Sequence, residues 1–208
     1  MKPYTLFYCQ GCGSAGVEAA LELAGASYQG EPVAPWEPGP ALDRLRSLNP
    51  LAQIPTLLTP DGEVLTESVA ILIHLIEQFP DATLAPPPGS GARAQLWRWL
   101  VFLATNIYAA VGVGDHPERW VSEKARDELV EGSVEVRKRS WLILEAQLSP
   151  APFLLGAQMT VLDIQVAMMS RWRPRRVWFD ESCPKLAAAV RLTEESPIVA
   201  AVWARNFE

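Results

Sequence analysis

The sequence predicts two domains of different class: an α/β domain over residues 1–80 and an all-helical domain over 92–208, joined by a linker at 81–91. Three observations carry this. Short β-prone and helical segments alternate up to residue 79. Residues 80–92 then gather four prolines and two glycines, the clearest linker composition in the chain. Beyond it, apolar residues recur at helical spacing almost everywhere.

Each element has a local reason. Residues 4–8 (Tyr-Thr-Leu-Phe-Tyr) are β-prone, and residues 9–13 hold two glycines and read as a loop. Ser14 is placed to cap a helix carrying Val17, Ala20, Leu21 and Ala24 inward, and Gly25 suits a left-handed stop. Residues 28–33 form a second strand. After Pro35, Pro38 and Pro40, a short helix lines up Leu42, Leu45 and Leu48 and ends before Asn49-Pro50. Residues 54–58 and 63–65 flank Pro60-Asp61-Gly62 and predict an antiparallel hairpin. Residues 67–79 are a helix with Val69, Leu72, Ile73 and Ile76 inward. The pattern is βαβ-α-ββα. Helices then follow at 92–113, 118–148, 160–173, 184–193 and 197–204, the first two separated by Gly114-Asp115-His116-Pro117.

Composition narrows the function. The chain has 208 residues, 49% of them hydrophobic and 20% charged, enough to bury one large core or two small ones. Its net charge is −6, and residues 1–80 hold 3 Lys/Arg against 9 Asp/Glu. An acidic first domain argues against nucleic acid as partner. Arg173, Arg175 and Arg176 form a basic knot that reads as a solvated helix end. No secretory leader is visible, and no apolar stretch reaches the ~18 residues needed to span a bilayer. The longest, 99–108, is interrupted by Thr105 and Asn106. A cytoplasmic protein without membrane association is therefore expected. Cys9, Cys12 and Cys183 are too few for a disulfide framework and read as free thiols, or as a redox pair and one spare. His74 and His116 are too isolated for a metal site, so none is expected.

Three segments carry a resemblance: Asn49-Pro50-Leu51-Ala52-Gln53-Ile54-Pro55-Thr56-Leu57; Leu65-Thr66-Glu67-Ser68-Val69-Ala70-Ile71 with His74-Leu75; and Gly156-Ala157-Gln158-Met159-Thr160-Val161-Leu162-Asp163-Ile164. In this order around this linker they resemble the soluble glutathione S-transferase superfamily, bacterial type, over nearly the whole chain. The resemblance implies a thioredoxin-like first domain with a mixed four-stranded sheet, an all-α second domain and a homodimer. It implies glutathione as co-substrate and a small hydrophobic electrophile as second substrate.

It also implies roles for residues. A cis bond at Ile54-Pro55 would turn the Ile54 main chain toward the cysteinyl backbone of glutathione, as one strand meets another. Glu67 and Ser68 at a helix start would receive the γ-glutamyl carboxylate. Gln53 lies near the glycyl end; Arg44 or Arg46 could neutralise the glycyl carboxylate, or both could be solvated. Thr160 and Asp163 form a capping box whose role is folding.

The thiol needs a donor in the first loop. Counting back from Gly25, Cys12 falls where serine-type classes place their catalytic serine, and Ser14 where bacterial classes often carry a second polar residue. The beta-class cysteine position is Gly13, and the tyrosine position is Phe7, beside Tyr8. The candidates are Cys12, then Ser14, then Tyr8; a plain helix cap and a core strand residue are the competing readings of the last two. Cys9-x-x-Cys12 also admits thiol–disulfide or peroxide chemistry. Cys183 reads as buried or capping. Tyr108 and Trp178, with Phe179 behind them, are second-substrate candidates, against ordinary core packing. Trp97 and Trp99 cannot share one helix face. Three functions follow: detoxification-type conjugation of glutathione, redox chemistry at Cys9/Cys12, or a binding module without turnover.

Overall fold

The structure, a computed structural model, describes residues 2–207. By contact the chain divides into two compact units. One runs up to Ala85 and takes in the chain from Glu194 onward; the other is Pro86–Thr193. The sequence grouped all of 92–208 together, whereas the stretch from Glu194 packs with the first unit.

In the first unit, β1 (Tyr4–Tyr8), β2 (Tyr28–Pro32), β3 (Thr56–Leu58) and β4 (Val64–Leu65) form one mixed sheet in the order β2-β1-β3-β4. β1 runs parallel to β2 and antiparallel to β3, which is antiparallel to β4. The hairpin expected at 54–65 is present, turning at Gly62 with φ +92°. Its first strand starts at Thr56, because Pro55 has no N–H to give the ladder.

Helices α1 (Ser14–Leu23), α2 (Pro40–Leu48), α3 (Ser68–Gln78) and α10 (Pro197–Phe207) complete the unit. Side chains alternate along β1. Phe7 faces α2, in a buried cluster with Val33, Leu42 and Leu45, against which Ile54 packs. Tyr4 faces α3: its ring meets His74 edge-on at 5.9 Å and its hydroxyl lies 3.1 Å from His74 Nε2. The helix stop at Gly25 is a full Schellman motif, with φ +63°, Gly25 N–H donating to Glu22 O at 3.0 Å and Ala26 N–H to Leu21 O at 3.0 Å. Ser14 does not cap α1 as expected. Gly13 occupies the cap, and Ser14 is the first helical residue.

In the second unit the expected helix 92–113 is three pieces: α4 (Gly91–Phe102), a π-helical stretch (Leu103–Tyr108) and α5 (Ala109–Asp115). This continuous run of 25 residues corrects the reading that no apolar segment is long enough to span a bilayer. Thr105 and Asn106 were expected to break it. Instead Thr105 Oγ1 donates to Val101 O at 2.9 Å and Asn106 Nδ2 to Phe102 O at 3.1 Å, so both polar groups are satisfied within their own helix. Length and composition are all that marks it; Leu96, Trp99, Leu100, Leu103 and Ile107 along it are buried, while Val101 is exposed.

Two 3₁₀ turns (Pro117–Arg119 and Glu123–Ala125) precede α6 (Arg126–Gln147), so that helix starts later than 118. α7 (Val161–Met169) is buried all round and stops four residues short of 173. α8 (Arg176–Ser182) was not foreseen, and α9 (Pro184–Glu194) closes the unit. The capping box forms: Asp163 Oδ2 accepts from Thr160 N–H (2.8 Å) and Thr160 Oγ1 (2.9 Å), and Asp163 Oδ1 accepts from Leu154 N–H at 2.8 Å. Burial raises the Asp163 carboxyl above its ordinary range, against those hydrogen bonds.

Two expectations follow. Asp163→Ala strands two buried N–H donors and should cost about 3 kcal/mol in urea unfolding. Burial holds the His74 imidazole below its ordinary 6.5, with Glu77 opposing. The neutral ring is the folded form, so its contribution is complete above about pH 6.5 and is lost as pH falls through the lowered value. His74→Asn should therefore flatten the acid limb of stability against pH.

Candidate functional site

The loop before β3 is built on Asn49 and Thr56, both buried. Asn49 Nδ2 donates to Gln53 O at 3.2 Å and Thr56 Oγ1 at 3.0 Å; Thr56 Oγ1 donates to Gln53 O at 2.9 Å; Leu51 N–H donates to Asn49 Oδ1 at 3.1 Å. This polar lattice holds Gln53, with its side chain exposed, just before Ile54-Pro55. That peptide bond is cis.

Register brings the rest of the site to the same place. Phe7 pairs with Thr56 and Leu57 with Leu65. β1 and β4 therefore both end at the end of the sheet where β3 begins, just after Ile54-Pro55. β1 and β4 both run antiparallel to β3, so the helices that follow them, α1 and α3, begin at one end of the sheet. Two helix N-termini, each a positive dipole end, therefore lie at the end of the sheet that the Ile54-Pro55 segment enters. Ser68 is buried as the first residue of α3. Glu67 before it is exposed, with φ +61°, and its side chain does not cap the helix. A non-glycine residue in that region is strained and worth noting at a candidate site.

The first loop is a tight turn. Cys12 N–H donates to Cys9 O at 3.2 Å, and Gly11 adopts φ +74°. Cys9 and Cys12 are not disulfide-bonded, and both are half-buried. Ser14 is fully buried; its hydroxyl donates to Cys9 O at 3.2 Å and accepts from Cys9 N–H at 3.3 Å. It is committed to shaping the loop. Tyr8 stands on the Leu6 face, opposite Phe7 and Ile54. There it lines a cleft of about 550 Å³ with Leu6, Gln10, Glu18, Tyr28 and Arg205. Arg44 is engaged with Glu31 at 2.8 Å, while Arg46 is exposed near Asp43 at 4.0 Å.

Sequence reasoning missed the polar network in that cleft. Arg205 Nε and Nη2 donate to Glu18 Oε1 at 3.0 and 2.8 Å, Asn206 Nδ2 to Glu18 Oε2 at 2.8 Å, and Tyr28 Oη to Glu18 and Glu22 at 3.2 and 2.9 Å. Burial, the hydrogen bond to Glu22 and the two carboxylates push the Tyr28 phenol well up, against Arg205. A buried Glu18 inside an otherwise apolar helix face was the signal for it.

In the second unit Tyr108 ends the π-helical stretch and stacks on Trp172, centroids 5.1 Å apart at 22°. Trp172 was not foreseen. Trp178 instead lines a shallow groove of about 410 Å³ with Val134, Lys138, Arg173, Pro174 and Arg175. Phe179 is core, edge-on to Trp141 at 5.0 Å. Of the tryptophan pair, Trp99 is buried and Trp97 half-buried. Cys183 is buried, and burial with the Glu145 charge pushes its thiol up to about 12, which makes it inert.

The comparisons agree with this geometry. The family "Glutathione S-transferase, N-terminal domain" matches residues 14–78. The "Uncharacterized GST-like protein YncG" of Escherichia coli (strain K12) is 34% identical over 94% of this chain and 95% of its own. Glutathione S-transferase GstA of Escherichia coli O157:H7 is 29% identical over 74% of this chain and 73% of its own. Among solved structures, a sphingomonad glutathione S-transferase complexed with glutathione superposes with TM-score 0.80 at 26% identity, covering 97% of this chain and 98% of that one. A continuous match of this identity and extent, on the fold and sheet end described, places the chain in the soluble glutathione S-transferase family of bacterial type.

Proposed function

We propose that this protein joins the glutathione thiolate to small hydrophobic electrophiles. The observation that carries the reading is the convergence of the Ile54-Pro55 segment, the start of α3 and the Cys9–Cys12 loop at one end of the sheet. The Ile54 main chain takes the cysteinyl backbone of glutathione by strand-like pairing. Ser68, Glu67 and the α3 start hold the γ-glutamyl end, where a positive dipole and unshared N–H groups suit a carboxylate. Gln53 lies at the glycyl end.

Catalysis then needs a thiolate near neutral pH. A free thiol has pKa ~8.5, and lowering it by one or two units takes about 1.4–2.8 kcal/mol. The Cys12 thiol as donor, with the positive end of α1, supplies an effect of that size. The thiol proton passes to solvent, sulfur bonds to the electrophilic carbon, and the leaving group departs with the bonding pair. Tyr108, whose ring stacks on Trp172, and Trp178 are the residues assigned to the second substrate, on the strength of the family. A homodimer acting in the cytoplasm completes the proposal, on the strength of the family.

A second reading has its own observation: the Cys9–Cys12 turn brings two half-buried cysteines, neither in a disulfide, to the start of a helix. There one thiolate would attack a disulfide sulfur, the other would resolve the mixed disulfide, and glutathione would reduce the protein disulfide formed.

Turnover of an aryl halide with glutathione tests the first reading. Cys12→Ala should lower kcat/KM about 100-fold with KM for glutathione little changed; a full rate in that variant removes Cys12 from its role. Ser68→Ala should raise KM for glutathione about tenfold. Loss of disulfide reductase activity in Cys9→Ala, with conjugation intact, would favour the second reading. Binding of glutathione without turnover of any electrophile would leave a binding module, and no heat of binding at millimolar glutathione would end the reading.

A further inference from the structure

The Cys9–Cys12 loop does not hold its shape alone. Its Gly11 N–H donates to Asn206 O at 2.8 Å and its Gln10 Nε2 to Arg205 O at 2.9 Å. Both acceptors are carbonyls in the last turn of α10, which have no partner within their own helix. The loop caps the helix, and the helix fixes the loop.

The helix end is in turn tied down from the other side. Glu18 sits one turn into α1, the helix that the loop opens. Its Oε1 receives Arg205 Nε and Nη2, and its Oε2 receives Asn206 Nδ2 at 2.8 Å. Glu22 adds a contact to Arg205 Nη2 at 2.9 Å. The Glu18 side chain is only 10% exposed. A charge so enclosed holds its partners firmly, because separating them leaves it unpaired. Arg205 also offsets the negative end of the α10 dipole, which would otherwise face a loop that has to favour a thiolate.

We propose that the end of α10 is a positioning device for the thiol chemistry, in which Glu18 and Asn206 act through the Gly11 amide on the placement of Cys12. This rests on the reading that Cys12 serves the reacting sulfur. Neither residue touches a substrate; their effect is geometric. A reacting group displaced by about 1 Å can lose up to about 100-fold in rate.

The test uses the full chain and the variants Asn206→Ala, Glu18→Gln and Gln10→Ala. Three quantities are read: amide hydrogen exchange at Gly11, alkylation of Cys12 by iodoacetamide resolved by mass spectrometry, and kcat with KM for glutathione. Asn206→Ala and Glu18→Gln should speed Gly11 exchange about tenfold relative to the β1 amides. They should speed Cys12 alkylation by a similar factor and lower kcat about tenfold with KM for glutathione within about twofold. Gln10 is exposed, so Gln10→Ala keeps the fold; should the other two fail to fold, its smaller loss, about threefold in kcat with faster Gly11 exchange, decides. Unchanged exchange in folded variants overturns the latch. Faster exchange with unchanged kcat overturns its role in the chemistry. If the unaltered chain conjugates nothing, the glutathione reading fails, while Gly11 exchange and Cys12 alkylation still decide the latch: both unchanged, it is gone.

Discussion

The antiparallel pairing of β1 with β3 is the constraint on which the site depends. Phe7 opposite Thr56 puts the exit of the first strand beside the entry of the third. Every later juxtaposition follows from that register. Because β4 is antiparallel to β3 as well, two helices start at the same end, and their dipoles add there rather than cancel. A slip of one residue would turn Phe7 away from Leu42 and Leu45 and bring Tyr8 round to the Ile54 face. The buried Phe7 cluster thus guards the geometry of the site as well as the stability of the unit.

The loop from 49 to 56 shows how such a register is secured where the ladder cannot reach. Pro55 breaks the ladder, so side chains take over from main chain. The Asn49 amide serves Gln53 O and Thr56 Oγ1, and its carbonyl oxygen serves Leu51 N–H. Three of its four hydrogen-bonding positions are filled locally. Ala52, at φ +51°, is the backbone cost of closing that turn.

Much of the first unit was legible in the sequence. The hairpin announced itself through Pro60-Asp61-Gly62, the end of α1 through Gly25 and the capping box through the Thr160/Asp163 spacing, because each is a local rule acting over a few residues. What was not legible depends on distance or on competition. Glu18 and Arg205 lie 187 positions apart, and nothing in either neighbourhood announces the other. Ser14 looked like a helix cap because serine suits that position. The loop carbonyl of Cys9 competed for the hydroxyl and won. Tyr8 was an alternative to Phe7 by count alone, and strand pleating settles its side. Thr105 and Asn106 looked like interruptions because composition does not reveal that a polar side chain can bond back to its own helix.

The π-helical stretch at Leu103–Tyr108 amounts to one surplus residue wound into a rod that is α-helical before and after it. Each helical residue turns the chain by about 100°. The insertion therefore rotates α5 by that angle relative to a rod of uniform pitch, and with it Tyr108 is swung to where Trp172 can stack on it. The aromatic pair is a product of winding: the same residues wound uniformly as α would carry the Tyr108 ring about 100° round the rod, away from Trp172.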